Sequence, residues 1–236
     1  MRALVIGYGS IGARHARLLS DLGFSTAVVS ARTIDFPLVY DNLMEALSAH
    51  HPDYVVIASS THQHYEALSY LAQCGFGGLV LVEKPLFDYA RPVPSSCFSR
   101  LLVAYNLRWH PALQRLRMSI AGQTVLSAQA YVGQYLPDWR PQTDYRQSYS
   151  ASVARGGGVL RDLSHELDYL CWILGPWKSV AAIGGHFSPL MIDSDDLYVI
   201  LLQYERCPAV SLQLSYLDRV ASRRVIVNTV DHTYEL

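Results

Sequence analysis

The chain has no apolar run approaching the ~20 residues of a membrane-spanning helix, no C-x-x-C pair and almost no net charge. Each absence removes a class of function. The N-terminus is a glycine-rich strand and turn, without the charged region and apolar core of a secretory signal. Neither a spanning segment nor a leader is therefore expected. Cys74, Cys97, Cys171 and Cys207 lie far apart, which gives neither zinc-ligand spacing nor a disulfide framework. Buried, reduced thiols in a cytoplasmic protein are the expectation. The net charge of −1 gives no electrostatic reason to expect nucleic acid or an anionic membrane as partner. Internal repeats and low-complexity tracts are missing as well.

What is present is a core-forming composition, half hydrophobic and 17% charged, in 236 residues, enough for one large domain or two modest ones. Leu4-Val5-Ile6 reads as a strand buried on both faces. Gly7, Gly9 and Gly12 follow in G-x-G-x-x-G spacing, with Ser10 and Ile11 between them, and a helix from Ala13 to Leu22 comes directly after. The first glycine permits the tight turn, the second lets the backbone approach a pyrophosphate, and the third lets the helix pack on the strand. Free N–H groups and the positive end of the helix dipole attract the phosphate.

Strands at Thr26–Ser30, Tyr54–Ala58, Leu79–Val82 and Leu101–Ala104 alternate with helices at Asp41–His50 and His64–Gln73. This rhythm implies a doubly wound parallel sheet with ligands at the carboxyl ends of its strands. Arg91-Pro-Val-Pro-Ser-Ser96 reads as a linker. Beyond it lie a helix, His110–Ile120, and strands at Val125–Val132, Val180–Phe187, Leu197–Tyr204, Ala209–Tyr216 and Arg224–Val230. Short turns such as Glu205–Pro208 between consecutive strands imply an antiparallel sheet. One helix, Val159–Leu174, interrupts them and stops at Gly175-Pro176. The expected architecture is α/β, with a Rossmann domain over 1–104 and an α+β domain over 105–236.

Two further patterns carry chemistry. Val82-Glu83-Lys84-Pro85 stands at the carboxyl end of a Rossmann strand. Lys84 there either polarises a hydroxyl or carbonyl and relays its proton, or is an ordinary surface lysine; a cis bond before Pro85 would aim it. In Gly156-Gly-Gly-Val-Leu-Arg-Asp-Leu-Ser-His-Glu-Leu-Asp168, Asp162 and His165 are spaced i, i+3 and are expected on one face of the helix, with Asp168 continuing the stripe. An imidazole beside a carboxylate suits general acid–base work, and a surface ion pair is the plainer alternative.

Taken together, these motifs resemble the Gfo/Idh/MocA family of oxidoreductases over essentially the whole chain. The resemblance also rests on Ser59-Ser-Thr-His-Gln-His64 and on Tyr105-Asn-Leu-Arg-Trp-His-Pro111. It implies a Rossmann domain and a second domain whose sheet often makes oligomer contacts, here a homodimer or homotetramer, with a sugar-type substrate lying between nicotinamide and that sheet. Carried over, Lys84 and His165 become the proton-handling pair, with Asp162 orienting the substrate or His165. Gly7, Gly9, Ser10, Ile11, Gly12, Ser30, Arg32, Ser59, Thr61, His64, Glu83 and Lys84 would hold the cofactor. Tyr105, Asn106, Arg108 and His165 would meet the substrate, and His110 would either line the cleft or pack.

The segment Tyr135–Arg146 resembles a branch of the family associated with bacterial surface-sugar and nonulosonic-acid pathways. Its Trp139, Arg140, Tyr145 and Arg146 suit a sugar bearing carboxylate or phosphate, or else form a loop covering its own core. Three departures stand out. The stretch from Pro85 to Tyr105 is short and proline-rich, Asp162 to His165 is one residue tighter than the usual D-x-x-x-H, and the chain is shorter than typical members, as a truncated form with an incomplete sheet would be. After the second strand, Ser30-Ala-Arg32 stands where NAD-binding versions place an acid, which favours NADP, with NAD as the alternative. A non-catalytic NAD(P)-binding sensor and a different reduction on the same scaffold are the competing functions.

Overall fold

A computed structural model describes residues 1–236, which divide into two units, Met1–Ala104 and Tyr105–Leu236. No helix is long and apolar enough to cross a membrane.

The N-terminal unit contains β1 (Arg2–Ile6), α1 (Ser10–Asp21), β2 (Ser25–Val29), β3 (Val39–Tyr40), α2 (Leu43–His50), β4 (Tyr54–Ile57), α3 (His64–Gln73), β5 (Leu79–Val82) and β6 (Arg100–Val103). The strands form one parallel sheet in the order β3-β2-β1-β4-β5-β6, the doubly wound arrangement. Alternation along β1 explains why both faces are covered. Leu4 and Ile6 join Val55, Ile57, Val80, Val82 and the α3 residues Leu68 and Leu71 on one side. Ala3 and Val5 join Ala16, Leu19, Val28 and Val56 on the other. Asn42 caps α2 by accepting the Glu45 N–H at 2.9 Å.

The sheet register positions the site. Ile6 pairs with Val29 and Ile57, Ile57 with Val82, and Val82 with Val103. Gly7, Ser30, Ala58, Glu83 and Ala104 therefore leave the sheet side by side along one edge. Residues 91–96, expected as a linker, have no regular structure and lie shortly before β6.

The C-terminal unit contains α4 (Pro111–Ser119), β7 (Val125–Gly133), α5 (Val159–Asp162), α6 (His165–Leu174), β8 (Trp177–Gly185), β9 (Leu197–Tyr204), β10 (Cys207–Ser215), β11 (Ser222–Thr229) and β12 (Thr233–Glu235). Its sheet runs β12-β11-β7-β10-β9-β8. The sheet is mainly antiparallel, as expected, with one exception: β7 and β10 pair in parallel. The chain leaves β7 through a long excursion and the two helices before it returns, and only a crossover of that length permits parallel pairing. One face of the sheet packs on Leu113, Leu116, Tyr169, Leu170 and Ile173 of α4 and α6. The opposite face leaves Ile183, Val199 and Leu201 exposed.

Two more expectations are corrected. The single helix over Val159–Leu174 is two helices, broken at Leu163-Ser164. Among the cysteines only Cys207 is buried, whereas Cys74 and Cys97 are exposed.

Candidate active site

The glycine loop has the form its spacing implies, and each glycine is needed for a different reason. Gly7 has φ +94°, and a Cβ there would lie 2.7 Å from the Ser59 backbone. A Cβ on Gly12 would lie 2.1 Å from the Gly7 carbonyl oxygen, so this glycine lets α1 approach the loop. A Cβ on Gly9 would meet nothing within 4 Å. Gly9 precedes α1 without a side-chain cap, and the first turn, which includes the exposed Ser10 and Ile11, holds no acidic residue. Open space in front of uncapped N–H groups is what an anionic pyrophosphate requires. Next to Gly7, the Ser59 hydroxyl is buried without a protein partner. The residues present fit a dinucleotide.

After β2, the Ser30 hydroxyl is turned into its own loop, accepting the Arg32 N–H at 3.1 Å. Arg32 is exposed, and its Nη2 donates to the Tyr8 carbonyl in the glycine loop at 2.7 Å. Thr61 is buried at the start of a short 3-10 turn. His64, expected at the cofactor, is 1% exposed. Its Nδ1 lies 3.1 Å from the Pro85 carbonyl and its Nε2 lies 3.1 Å from the Ser59 carbonyl. Both ring nitrogens thus face backbone carbonyls, and burial holds its pKa below the ordinary imidazole value, so the neutral ring donates from one of them. At the end of β5, the Lys84–Pro85 peptide is cis. Glu83 Oε1 lies 2.7 Å from His15 Nε2.

In the C-terminal unit the break between α5 and α6 overturns the expected shared face. Asp162 ends α5 and His165 begins α6. Asp162 Oδ2 accepts the Tyr216 hydroxyl at 2.5 Å, and the Tyr149 hydroxyl lies near the same carboxylate. Burial, reinforced by the Asp162 charge, raises the pKa of both tyrosines well above the ordinary value. Replacing Tyr216 by phenylalanine is expected to destabilise this unit by about 1–3 kcal/mol in urea unfolding, because a buried carboxylate loses a donor. A change below roughly 0.3 kcal/mol would mean that solvent replaces the hydroxyl.

His165 meets the Tyr105 ring edge-on, with ring centroids 5.7 Å apart at 83°. The Tyr105 hydroxyl reaches Ser164 Oγ at 3.4 Å, and burial raises its pKa. Tyr105 and His165 are therefore together, as the sequence implied. Asn106 and His110 are exposed, His110 directly before the Pro111 that starts α4.

Other expected substrate residues are engaged within the protein. Arg108 makes a forked pair with Asp168, at 2.8 and 2.6 Å. Trp139 packs edge-on against Tyr216 at 5.2 Å, and Tyr145 packs on the core while its hydroxyl accepts the Met191 N–H. Arg146 folds back onto Asp144 at 2.7 Å. For Trp139, Tyr145 and Arg146 this favours the loop that covers its own core. Arg140 remains exposed.

The sequence did not reveal the partners Tyr149 and Tyr216. It also gave no sign that Asp193, Asp195 and Asp196 accept backbone N–H groups of Val153, Leu160, Phe187 and Ser188. No spacing pattern marks such pairings, and those of Asp193 and Asp195 join segments 40 and 35 residues apart.

Two family models match the chain. One, the oxidoreductase family with an NAD-binding Rossmann fold, matches residues 1–93, and the other, the GFO/IDH/MocA C-terminal domain, matches residues 119–234. An uncharacterized oxidoreductase of Synechocystis is 30% identical over an alignment of 164 residues that covers 64% of this chain and 42% of that relative. The match thus spans less than half of the relative's length.

Among solved structures, GenD2 from gentamicin A biosynthesis, in complex with NAD, superposes with a TM-score of 0.83 at 24% identity, over 100% of this chain and 72% of its own. The WlbA dehydrogenase from Bordetella pertussis, in complex with NADH and UDP-GlcNAcA, gives 0.81 at 19% identity, over 99% and 77%. The myo-inositol 2-dehydrogenase from Lactobacillus plantarum gives 0.80 at 17% identity, over 100% and 76%. These structural likenesses speak for the fold. With one family model on each unit, the chain belongs to the Gfo/Idh/MocA family of oxidoreductases.

Proposed function

We propose that the protein is an NAD(P)-dependent oxidoreductase that transfers a hydride between a nicotinamide cofactor and a hydroxyl or keto carbon of a sugar or sugar derivative. The observation that carries this reading is the 2.7 Å contact between His15 and Glu83. It ties the helix of the glycine loop to the turn that bears Lys84, so a phosphate cradle and a proton-handling amine share one sheet edge.

The backbone N–H groups around Gly9 and Ser10 would hold the pyrophosphate. The bound nicotinamide supplies a hydride donor or acceptor at its C4. Lys84 would take the hydroxyl proton as an alcohol is oxidised, or return it in reduction. His165, steadied by the Tyr105 ring, is the second proton carrier, and Asp162 is a fixed carboxylate held by Tyr216, with Tyr149 nearby. A sugar-type substrate is supported by neighbours named for UDP-GlcNAcA and myo-inositol. The exposed sheet face with Ile183, Val199 and Leu201 would be buried against a second copy of the chain.

The test is a nicotinamide-fluorescence titration with NADH and NADPH, followed by turnover with both oxidised cofactors on nucleotide-linked uronic acids, amino sugars and inositols. Accumulation of reduced nicotinamide with one of these classes is the expected result. Cofactor binding without turnover on any of them would favour the sensor reading.

For the cofactor, the absence of an acid between β2 and Asp35 and the exposed Arg32 guanidinium favour NADP. NAD is the competing reading, supported by the NAD and NADH in the GenD2 and WlbA complexes. Arg32→Ala is expected to weaken NADPH about tenfold or more, the worth of a charge-assisted bond to phosphate, while NADH changes less than about twofold. Equal losses for both cofactors would remove the NADP preference.

A further inference from the structure

The turn that carries Lys84 is gripped from both ends by histidines. On one side, His15 in α1 brings Nε2 to 2.7 Å from Glu83 Oε1, with the two side chains only 20% and 14% exposed. The other oxygen of that carboxylate, Oε2, accepts the Lys84 N–H at 3.2 Å. On the other side, His64 at the start of α3 places Nδ1 3.1 Å from the Pro85 carbonyl and 3.3 Å from the Leu86 carbonyl. Its Nε2 lies 3.1 Å from the Ser59 carbonyl, in the loop that follows β4; a neutral ring donates from one nitrogen only, and donation from Nδ1 is the arrangement that holds this turn. The residue before Lys84 and the two after it are thus fixed by different helices.

We propose that His15 and His64 are positioning residues for Lys84, His15 acting through the Glu83 carboxylate and His64 through the Pro85 and Leu86 carbonyls. The proposal rests on the reading of Lys84 as the proton-handling group.

Its physical basis is leverage. Four side-chain torsions carry the amine away from the backbone, so a small tilt of the turn is magnified at Nζ. A misplacement of about 1 Å can cost on the order of 10²-fold in rate. Both histidines act from inside the unit. His64 is closed to solvent, and His15 directs Nε2 at the carboxylate.

The chain offers a clean readout, because Lys84 and Lys178 are its only two lysines. Lys178 is exposed on β8 and serves as an internal standard. Trace acetylation with acetic anhydride, read at the two lysine peptides by mass spectrometry, reports the environment of the Lys84 amine without any substrate. In His15→Ala and His64→Ala the Lys84-to-Lys178 labelling ratio is expected to change by about threefold or more. With a sugar substrate, kcat should fall about 10- to 100-fold while the NADH Kd stays within about threefold.

His15→Gln, which retains a donor for Glu83, should bring the ratio back towards that of the unsubstituted protein. If His64→Ala fails to fold, the His15→Ala and His15→Gln pair decides the matter. An unchanged labelling ratio in folded His15→Ala overturns the proposal. A changed ratio in a protein whose unsubstituted form turns over no sugar would uphold the clamp and count against the catalytic reading of Lys84.

Discussion

Replacing Lys84 by alanine is expected to lower turnover by about 10²–10⁴-fold, the range a positioned general acid–base supplies. The NADH Kd and the unfolding midpoint should change little. The turn has anchors besides the ammonium group: the Glu83 carboxylate takes the Lys84 backbone N–H, and the Pro85 and Leu86 carbonyls face His64 Nδ1. Truncating the side chain therefore removes an amine and leaves its platform. Lys84→Arg sharpens the result. Guanidinium keeps the positive charge but does not release a proton at working pH. If Lys84 moves a proton, arginine should be nearly as inactive as alanine. Substantial activity in Lys84→Arg would reduce the role to charge stabilisation, and full activity in Lys84→Ala would end the catalytic assignment. Steady-state kinetics beside a cofactor titration separates these outcomes.

How far the sequence could be read depended on whether a signal was local. β1, the glycine turn and α1 were legible because strand, loop and helix start are contiguous and each glycine answers to its own neighbours. α3 lies over His64–Gln73 as its pattern implied, since periodicity and the following glycine both mark it. The two-residue β3 was missed, being too short for any alternation to show. The break at Leu163-Ser164 was also missed. Helical spacing remains plausible across a two-residue irregularity, so Asp162 and His165 were placed on one face. The structure instead turns Asp162 towards Tyr216, 54 residues further along the chain.

The partner of Arg108 was equally invisible. A guanidinium beside a cleft motif looks available for substrate until the fold brings Asp168 to it. The carboxylate–tyrosine cluster and the two-histidine clamp are products of tertiary structure, and no spacing rule in one sequence encodes them. The parallel β7–β10 pairing is of the same kind, because strand order across a long crossover is set by packing rather than by the strands themselves.

The second large effect is expected at the glycine loop, where Gly9→Ala and Gly12→Ala should fail in different ways. Gly9 has an extended backbone, φ −78° and ψ −171°, which any residue can adopt. An alanine Cβ there meets no protein atom within 4 Å. The fold should therefore survive, with a cost below about 1 kcal/mol from the poorer N-cap. NADH and NADPH should nevertheless each bind about 10- to 100-fold more weakly, because the methyl group enters the space from which the pyrophosphate reaches the helix N–H groups. Gly12→Ala gains at most about 1 kcal/mol of helix propensity. Against that, its Cβ would stand 2.1 Å from the Gly7 oxygen. Relieving such a contact means moving the loop away from α1, at a typical overpacking cost of about 1–3 kcal/mol or more. This variant should lose stability and cofactor binding together. Thermal unfolding with and without NADH reads both quantities. If Gly9→Ala binds NADH within about twofold of the unsubstituted protein, a lost phosphate contact is ruled out. In that case the pyrophosphate does not lie on this loop, and the dinucleotide assignment fails with it.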